Sequence, residues 1–292
     1  MVDQEGLLEV PLGKRDIQAF YGAAAPAYDG ATVEFEARAK ALALDAMNRR
    51  PGETYLEVAV GTGISIVEQV KRTGAAGVVG IDLTPGMLSM ARERLDALGA
   101  ASVPLLLADA RFLPFREGVF ECLFNSYMLD LIPAADIGQI VAEFGRVLVP
   151  GGHVVLANLT EGEGDDVAFS ENWKARYLEN PVQLGGCRPV LAGAFLRAAG
   201  FGEVERTYCG GSGNWPTEVV TARAPTAGAT APPHHDLMEI LVCPLCKGDL
   251  ELTIVKEEDA RILDGRLACA PCKQTYPIEG GIPNLLPPDL RD

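Results

Sequence analysis

The stretch Thr54-Tyr-Leu-Glu-Val-Ala-Val-Gly-Thr-Gly63 constrains this chain more than any other. Tyr55, Leu56, Val58 and Val60 are strand formers, and Gly61 and Gly63 end the run. A helical pattern follows from Ile64 to Arg72. Strand, glycine turn and helix bring a backbone close to a nucleotide-like ligand, because a side chain on the glycines would block the approach. Many strand-to-helix turns contain a GxG, so the rest of the chain must decide what this one does.

The rhythm repeats downstream. Before the opening stretch, Ile17, Phe20 and Tyr21 predict one helix, Asp29-Gly30 a turn, and residues 32–49 a second helix ended by Pro51-Gly52. Ala75 to Asp82 reads as the next strand, with Asp82 at its carboxyl end, 21 residues beyond Gly61. That offset suits an acid that accepts from both hydroxyls of a ribose. Thr84-Pro85 opens a helix. Strands over Val103–Ala108, Val119–Asn125 and His153–Asn158 alternate with a helix over Ala134–Leu148. The pattern predicts an α/β fold with a doubly wound, mostly parallel sheet. Gly61, Gly63, Asp82, Asp109 and Asn125 all fall at carboxyl ends of strands, where such sheets bind ligands. Tyr127 and Asp130 follow the fourth strand and are candidates to face a reacting molecule. Residues 160–187 interrupt the rhythm as a candidate lid carrying Trp173, Tyr177 and Leu178, and Cys187 stands where that lid returns. Gly202–Tyr208 and Glu218–Ala222 predict a closing antiparallel pair. A Pro/Ala/Thr/Gly-rich linker over 225–235 then divides a first domain, 1–224, from a second, 236–292.

Charge and cysteines narrow the class. The net charge is −15, both domains are acidic, and no Lys/Arg cluster stands out, which argues against a nucleic-acid partner. No long uncharged apolar run predicts a membrane span, and no signal pattern opens the chain, so a cytoplasmic protein is expected. Cys122, Cys187 and Cys209 are isolated, whereas Cys243, Cys246, Cys269 and Cys272 form two CxxC knuckles 22 residues apart. Four thiolates so spaced suit a closed tetrahedral Zn²⁺ site that would stabilise a small domain; iron in a rubredoxin-like site is the alternative.

With these residues in hand, the first domain resembles the class I S-adenosylmethionine-dependent methyltransferases, and their ubiquinone/menaquinone C-methyltransferase-like branch in particular. The resemblance rests on Phe20-Tyr-Gly-Ala-Ala-Ala-Pro-Ala-Tyr-Asp29, Leu56-Glu-Val-Ala-Val-Gly-Thr-Gly63, Gly80-Ile-Asp82, Leu107-Ala-Asp-Ala110 and Leu148-Val-Pro-Gly-Gly152. It implies a Rossmann-like sheet of seven strands and S-adenosylmethionine as methyl donor. Glu57, Gly61 and Gly63 would approach the methionine part, Asp82 the ribose, and Leu83, Met87, Asp109 and Ala110 the adenine. Asn125 would lie near the sulfonium, and Tyr28 would cover the donor. Ala59 stands where the family usually has glycine, and Ile66 replaces the third glycine of a dinucleotide fingerprint, which argues against NAD. The flanks of the cysteines, Leu237–Gly248 and Tyr276–Leu286, resemble the small zinc-binding activator subunit of tRNA, ribosomal-RNA and release-factor methyltransferases.

The expected function is methyl transfer to a small-molecule acceptor, with Tyr127, Asp130 and Cys187 as candidate catalytic residues and the zinc domain stabilising or capping the first. The alternative acceptor is RNA or a translation protein. Asn125-Ser-Tyr-Met lacks the prolines of the Asn/Asp-Pro-Pro-Tyr motif that amino-group methyltransferases of that kind carry, and this favours the small molecule.

Overall fold

A computed structural model describes residues 7–211, 213–226, 236–258 and 261–291. The predicted linker lies largely outside the described residues.

The first domain opens with a 34-residue helix, α1 (Lys14–Met47). The two helices expected here are therefore one, running straight through Pro26 and Asp29-Gly30. Asp29 makes no turn because its carboxylate is used in tertiary contacts: Thr62 Oγ1 donates to it at 2.6 Å, and Arg94 pairs with it. Asn48 ends α1 in the left-handed region, ahead of the expected Pro51-Gly52 stop.

Strands β1 (Tyr55–Val58), β2 (Val78–Asp82), β3 (Leu105–Leu107) and β4 (Phe120–Ser126) follow, with helices α2 (Ile64–Thr73) and α3 (Pro85–Ala97) between the first three. After α4 (Ala134–Val147) comes β5 (Leu148–Leu159), which begins five residues before the expected start because Pro150-Gly-Gly152 is accommodated within the strand. Helices α5 (Val167–Glu179) and α6 (Ala192–Ala198) precede β6 (Gly202–Cys209) and β7 (Thr217–Arg223). The seven strands order as β3-β2-β1-β4-β5-β7-β6, parallel up to β5, with β7 antiparallel to both its neighbours. This is the class I methyltransferase fold. All four residues of β1 are buried, as a strand covered by helices on both faces requires.

The second domain is a one-turn helix, α7 (Leu237–Ile240), and a four-stranded antiparallel sheet. Its strands are β8 (Glu251–Glu258), β9 (Arg261–Cys269), β10 (Gln274–Glu279) and the short β11 (Ile282–Pro283). It docks on the open β3 edge of the large sheet. Leu285 N donates to the Leu107 carbonyl at 2.8 Å, and Asn284 bridges Leu107 in parallel. The β3–β4 connection is clasped too: Val242 N donates to Pro114 O and Arg116 N to Ile240 O, both at 2.9 Å. An exposed edge is thereby paired, which removes a template for aggregation. One apolar cluster runs through both domains, joining Phe115 and Phe120 to Leu241, Leu267, Tyr276 and Leu285.

Between β1 and α2 the chain reverses through Ala59 (φ 60°), Gly61 (φ 54°) and Gly63 (φ 88°). A Cβ on Gly63 would lie 2.7 Å from Ala91 Cα, so that glycine serves the approach of α2 to α3. Ala59 carries the left-handed strain of an L-residue. Ala59→Gly is expected to raise stability by about 0.5–1 kcal/mol, read as a higher urea midpoint at unchanged m.

Candidate active site

The carboxyl ends of the parallel strands open into a cavity of about 1230 Å³, counting the open space at its mouth. Helix α1 lies across it, held by Gln18 Nε2 donating to the Leu83 carbonyl (2.9 Å) and by Lys14 pairing with Asp136 (2.8 Å). Tyr28, Ala59, Gly61, Asp82, Leu83, Met87, Asp109, Ala110 and Tyr127 line it, nine of the expected residues.

Asp82 organises its floor. Oδ2 accepts from Gly61 N and Oδ1 from Thr84 N, each at 2.8 Å, so one carboxylate fixes the glycine turn and the start of α3. A Cβ on Gly61 would meet no atom within 4 Å, so its missing side chain leaves clear space beside the turn. Asp109 accepts from Arg111 N (2.9 Å) and from the Arg111 guanidinium (2.7 Å to Oδ2), which aims its carboxylate.

Four expected residues stand elsewhere. Glu57 is behind the turn, accepting from Tyr55 Oη at 2.8 Å, because β1 turns its side chain into the interior. Gly63 serves helix packing, as above. Asn125 Nδ2 donates to the Val58 carbonyl at 2.8 Å, pinning β4 to β1, and is fully buried away from the cavity. Ser126 and Tyr127 take the position expected for it. Asp130 is also fully buried and lines neither cavity; its Oδ2 accepts from Leu159 N (3.1 Å) and lies 3.6 Å from the Cys187 thiol.

A second cavity adjoins the first, under α5 and the segment after it. Tyr21, Tyr28 and Tyr127 line both, and Trp173, Cys187 and Trp215 line the second. The lid residues therefore divide. Trp173 reaches the cavity while its Nε1 donates to the Cys187 carbonyl (2.9 Å); Tyr177 instead donates to the Glu9 carbonyl (2.8 Å), and Leu178 faces solvent. Tyr127 adopts φ 52°, and its hydroxyl is 2.9 Å from Thr217 Oγ1. A buried aromatic in this backbone region is strained, a feature that concentrates at functional sites. Sequence reasoning missed Lys40 and Glu36, a salt-bridged pair one helical turn apart on α1, and Trp215 on the β6–β7 loop. Their i,i+4 spacing was the only signal for the first two; Trp215 offered none.

The four Sγ atoms of Cys243, Cys246, Cys269 and Cys272 lie within 4.8 Å of one another, with nearest pairs at 3.3–3.5 Å. A tetrahedron of thiolates about Zn²⁺ has edges of roughly 3.8 Å at the usual Zn–S length, so the set fits that ion. Tyr276 Oη, 3.1 Å from Cys243 Sγ, supplies a hydrogen bond from outside the four. Lys247 and Lys273, each directly after a CxxC, take positive φ (58° and 57°) as the knuckles turn.

Burial dominates the acid groups. It pushes Asp82 up to about 6, Asp130 to about 7 and Glu57 to about 8. Each holds a proton in the folded chain that the unfolded chain releases near pH 4. The stability they contribute is complete below that pH and is lost as pH rises towards 8. Glu57→Gln keeps an acceptor oxygen without the charge. Its stability relative to the parent is expected to grow from pH 5 to pH 8 in chemical denaturation; an unchanged difference would show Glu57 to be ionised without cost.

Comparison with known proteins follows the same division. Residues 56–152 match the methyltransferase domain family, and residues 234–281 the Trm112p-like protein family. A demethylmenaquinone methyltransferase of Thermus thermophilus is 36% identical over 140 residues, covering 45% of this chain and 60% of that protein. A phosphatidylethanolamine N-methyltransferase of Cereibacter sphaeroides is 33% identical over 132 residues, covering 45% and 62%. The chain spans less than two thirds of the length of these relatives. Among solved structures, the [4+2]-cyclase SpnF superposes with a TM-score of 0.60 at 16% identity, covering 75% of this chain and all of that one. The chain thus joins a segment similar to the methyltransferase domain family to a second segment similar to the Trm112p-like family.

Proposed function

We propose that this chain transfers a methyl group from S-adenosylmethionine, held in the first cavity, to a small-molecule acceptor in the second. The observation that carries the reading is the shared wall: Tyr21, Tyr28 and Tyr127 face both cavities, so ligands in the two would meet there. In this reading Asp82 accepts from the ribose hydroxyls and Asp109 from the adenine amino group. Leu83, Met87 and Ala110 border the ring, and the backbone of Ala59 and Gly61 passes the methionine part. Glu57, Gly63 and Asn125 support the turn from behind. The donor supplies an electrophilic methyl on a sulfonium. The protein's part is to align the acceptor, exclude water and cover the junction, which Tyr28 and Tyr127 do. Cys187 walls the acceptor side; burial pushes its thiol well up, so it stays protonated and does not attack. Asp130, beneath it, positions that thiol.

The names of the relatives support methyl transfer. The cyclase among the structural neighbours shows why fold alone does not carry the reading. The Trm112p-like domain also suits a macromolecular acceptor. The absence of prolines after Asn125 and the net charge of −15 favour the small molecule. Among the described residues no helix is long and apolar enough to cross a membrane. The four-cysteine domain, loaded with zinc, would cap β3 and hold the far end of the chain on α1, where Arg15 Nη2 donates to the Asp289 carbonyl at 2.8 Å.

Calorimetry with S-adenosylmethionine tests the donor site. Binding is expected, and Asp82→Ala should weaken it by about 1–3 kcal/mol, the usual loss of hydrogen bonds to a charged group. No binding by the parent would overturn the reading; unchanged affinity in the variant would assign the ribose to another acid. Metal analysis should find about one zinc per chain, and its removal by a chelator should lower the melting temperature. A fully stable metal-free chain would refute the zinc site.

A further inference from the structure

The second cavity contains more than an apolar acceptor needs. Tyr21 and Tyr28 enter it from α1, Tyr127 from the β4 exit, Trp173 from α5 and Trp215 from the β6–β7 loop. Trp215 packs edge-on against Tyr127 and Trp173, with centroids 6.4 and 5.7 Å apart. One carboxylate, Glu36, stands in this aromatic wall, with its side chain 1% exposed. Lys40 Nζ lies 2.7 Å from Oε2, whereas among the described residues Oε1 accepts no hydrogen bond. A buried carboxylate with one oxygen left open is costly unless a further cation or donor completes it.

Lys40 is also placed to be drawn away. Its side chain lines the first cavity, and its ammonium stands 5.7 Å from the Tyr127 ring centroid, at the junction of the two. A carboxylate-bearing ligand in the first cavity would compete with Glu36 for this ammonium. That would leave Glu36 facing the aromatic box alone. Aromatic faces around a carboxylate form an environment for a cation, because ring quadrupole and anion attract the same charge. A neutral apolar ring would fill the box but would leave the Glu36 charge uncompensated against it.

We propose that the second cavity is a cation subsite and that the methyl acceptor is a small aliphatic amine, held by the aromatic faces and the Glu36 carboxylate. The proposal rests on the methyl-transfer reading above. An ammonium acceptor first cedes a proton, for which Glu36 is the adjacent base. The nitrogen lone pair then forms the new N–C bond as the donor's C–S bond breaks and its electron pair passes to sulfur. Burial raises the carboxyl of Glu36, which suits it to take that proton.

The chain's two tryptophans, Trp173 and Trp215, both line this cavity, so intrinsic fluorescence reads its occupancy directly. The full chain, loaded with S-adenosylhomocysteine, is titrated with choline and with its neutral isostere 3,3-dimethylbutan-1-ol. Choline is expected to bind saturably and at least about tenfold more tightly, the advantage of a desolvated cation over aromatic faces. Glu36→Gln should bring choline down to the isostere's level while S-adenosylhomocysteine affinity, read by calorimetry, holds or rises, because Lys40 is freed for its carboxylate. If that variant does not fold, Trp215→Leu should weaken choline more than the isostere. Equal affinities for the two probes, or no choline binding by a chain that holds S-adenosylhomocysteine, would overturn the proposal. Failure of S-adenosylhomocysteine itself to bind would instead sink the methyl-transfer reading and, because nothing would then draw Lys40 from Glu36, the subsite that rests on it.

Discussion

The Asp82 carboxylate is the tie on which the first cavity depends. By accepting from Gly61 N and Thr84 N it fixes the turn after β1 and the start of α3 as one unit. Both backbones, with the Asp109 loop beside them, then face the same space. The tie keeps a buried acid at the floor of an open cavity, and burial raises its proton affinity. Such an arrangement stabilises the turn less than a neutral acceptor would at high pH.

Around this tie the protein accepts local strain on its cavity-facing side. Ala59 and Tyr127 both take positive φ without being glycine, one at each edge of the cavity. Glu36, Glu57 and Asp130 are buried acids within the same region, each with its carboxyl pushed up by desolvation. The support comes from elsewhere: fully buried β1, α1 laid over the strand ends, and an apolar cluster that continues into the second domain. The four-cysteine domain contributes by pairing the open β3 edge and by bringing the chain's last turn to α1. A domain with so few strands has little core of its own, so it leans on the apolar cluster that it shares with the first domain.

Much of this was legible in the sequence. Short apolar runs, glycine punctuation and period-3.6 helices determined the α/β order, because strands and helices bury surface at different periods. The acids at strand ends followed from that order, and the two CxxC knuckles announced their own geometry. What the sequence left undecided were side-chain directions and distant neighbours. Glu57 and Asn125 sit at strand ends as expected, but the pleat and the packing turn them into the interior. Gly63 is also required by helix packing, a constraint that needs Ala91 in view. Only the tertiary structure placed Glu36, Lys40, Trp173 and Trp215 around adjoining cavities, since these residues come from α1, α5 and the β6–β7 loop, far apart in the chain. Local patterning is set by neighbours a few residues away; a binding site is set by which elements the folded sheet brings together.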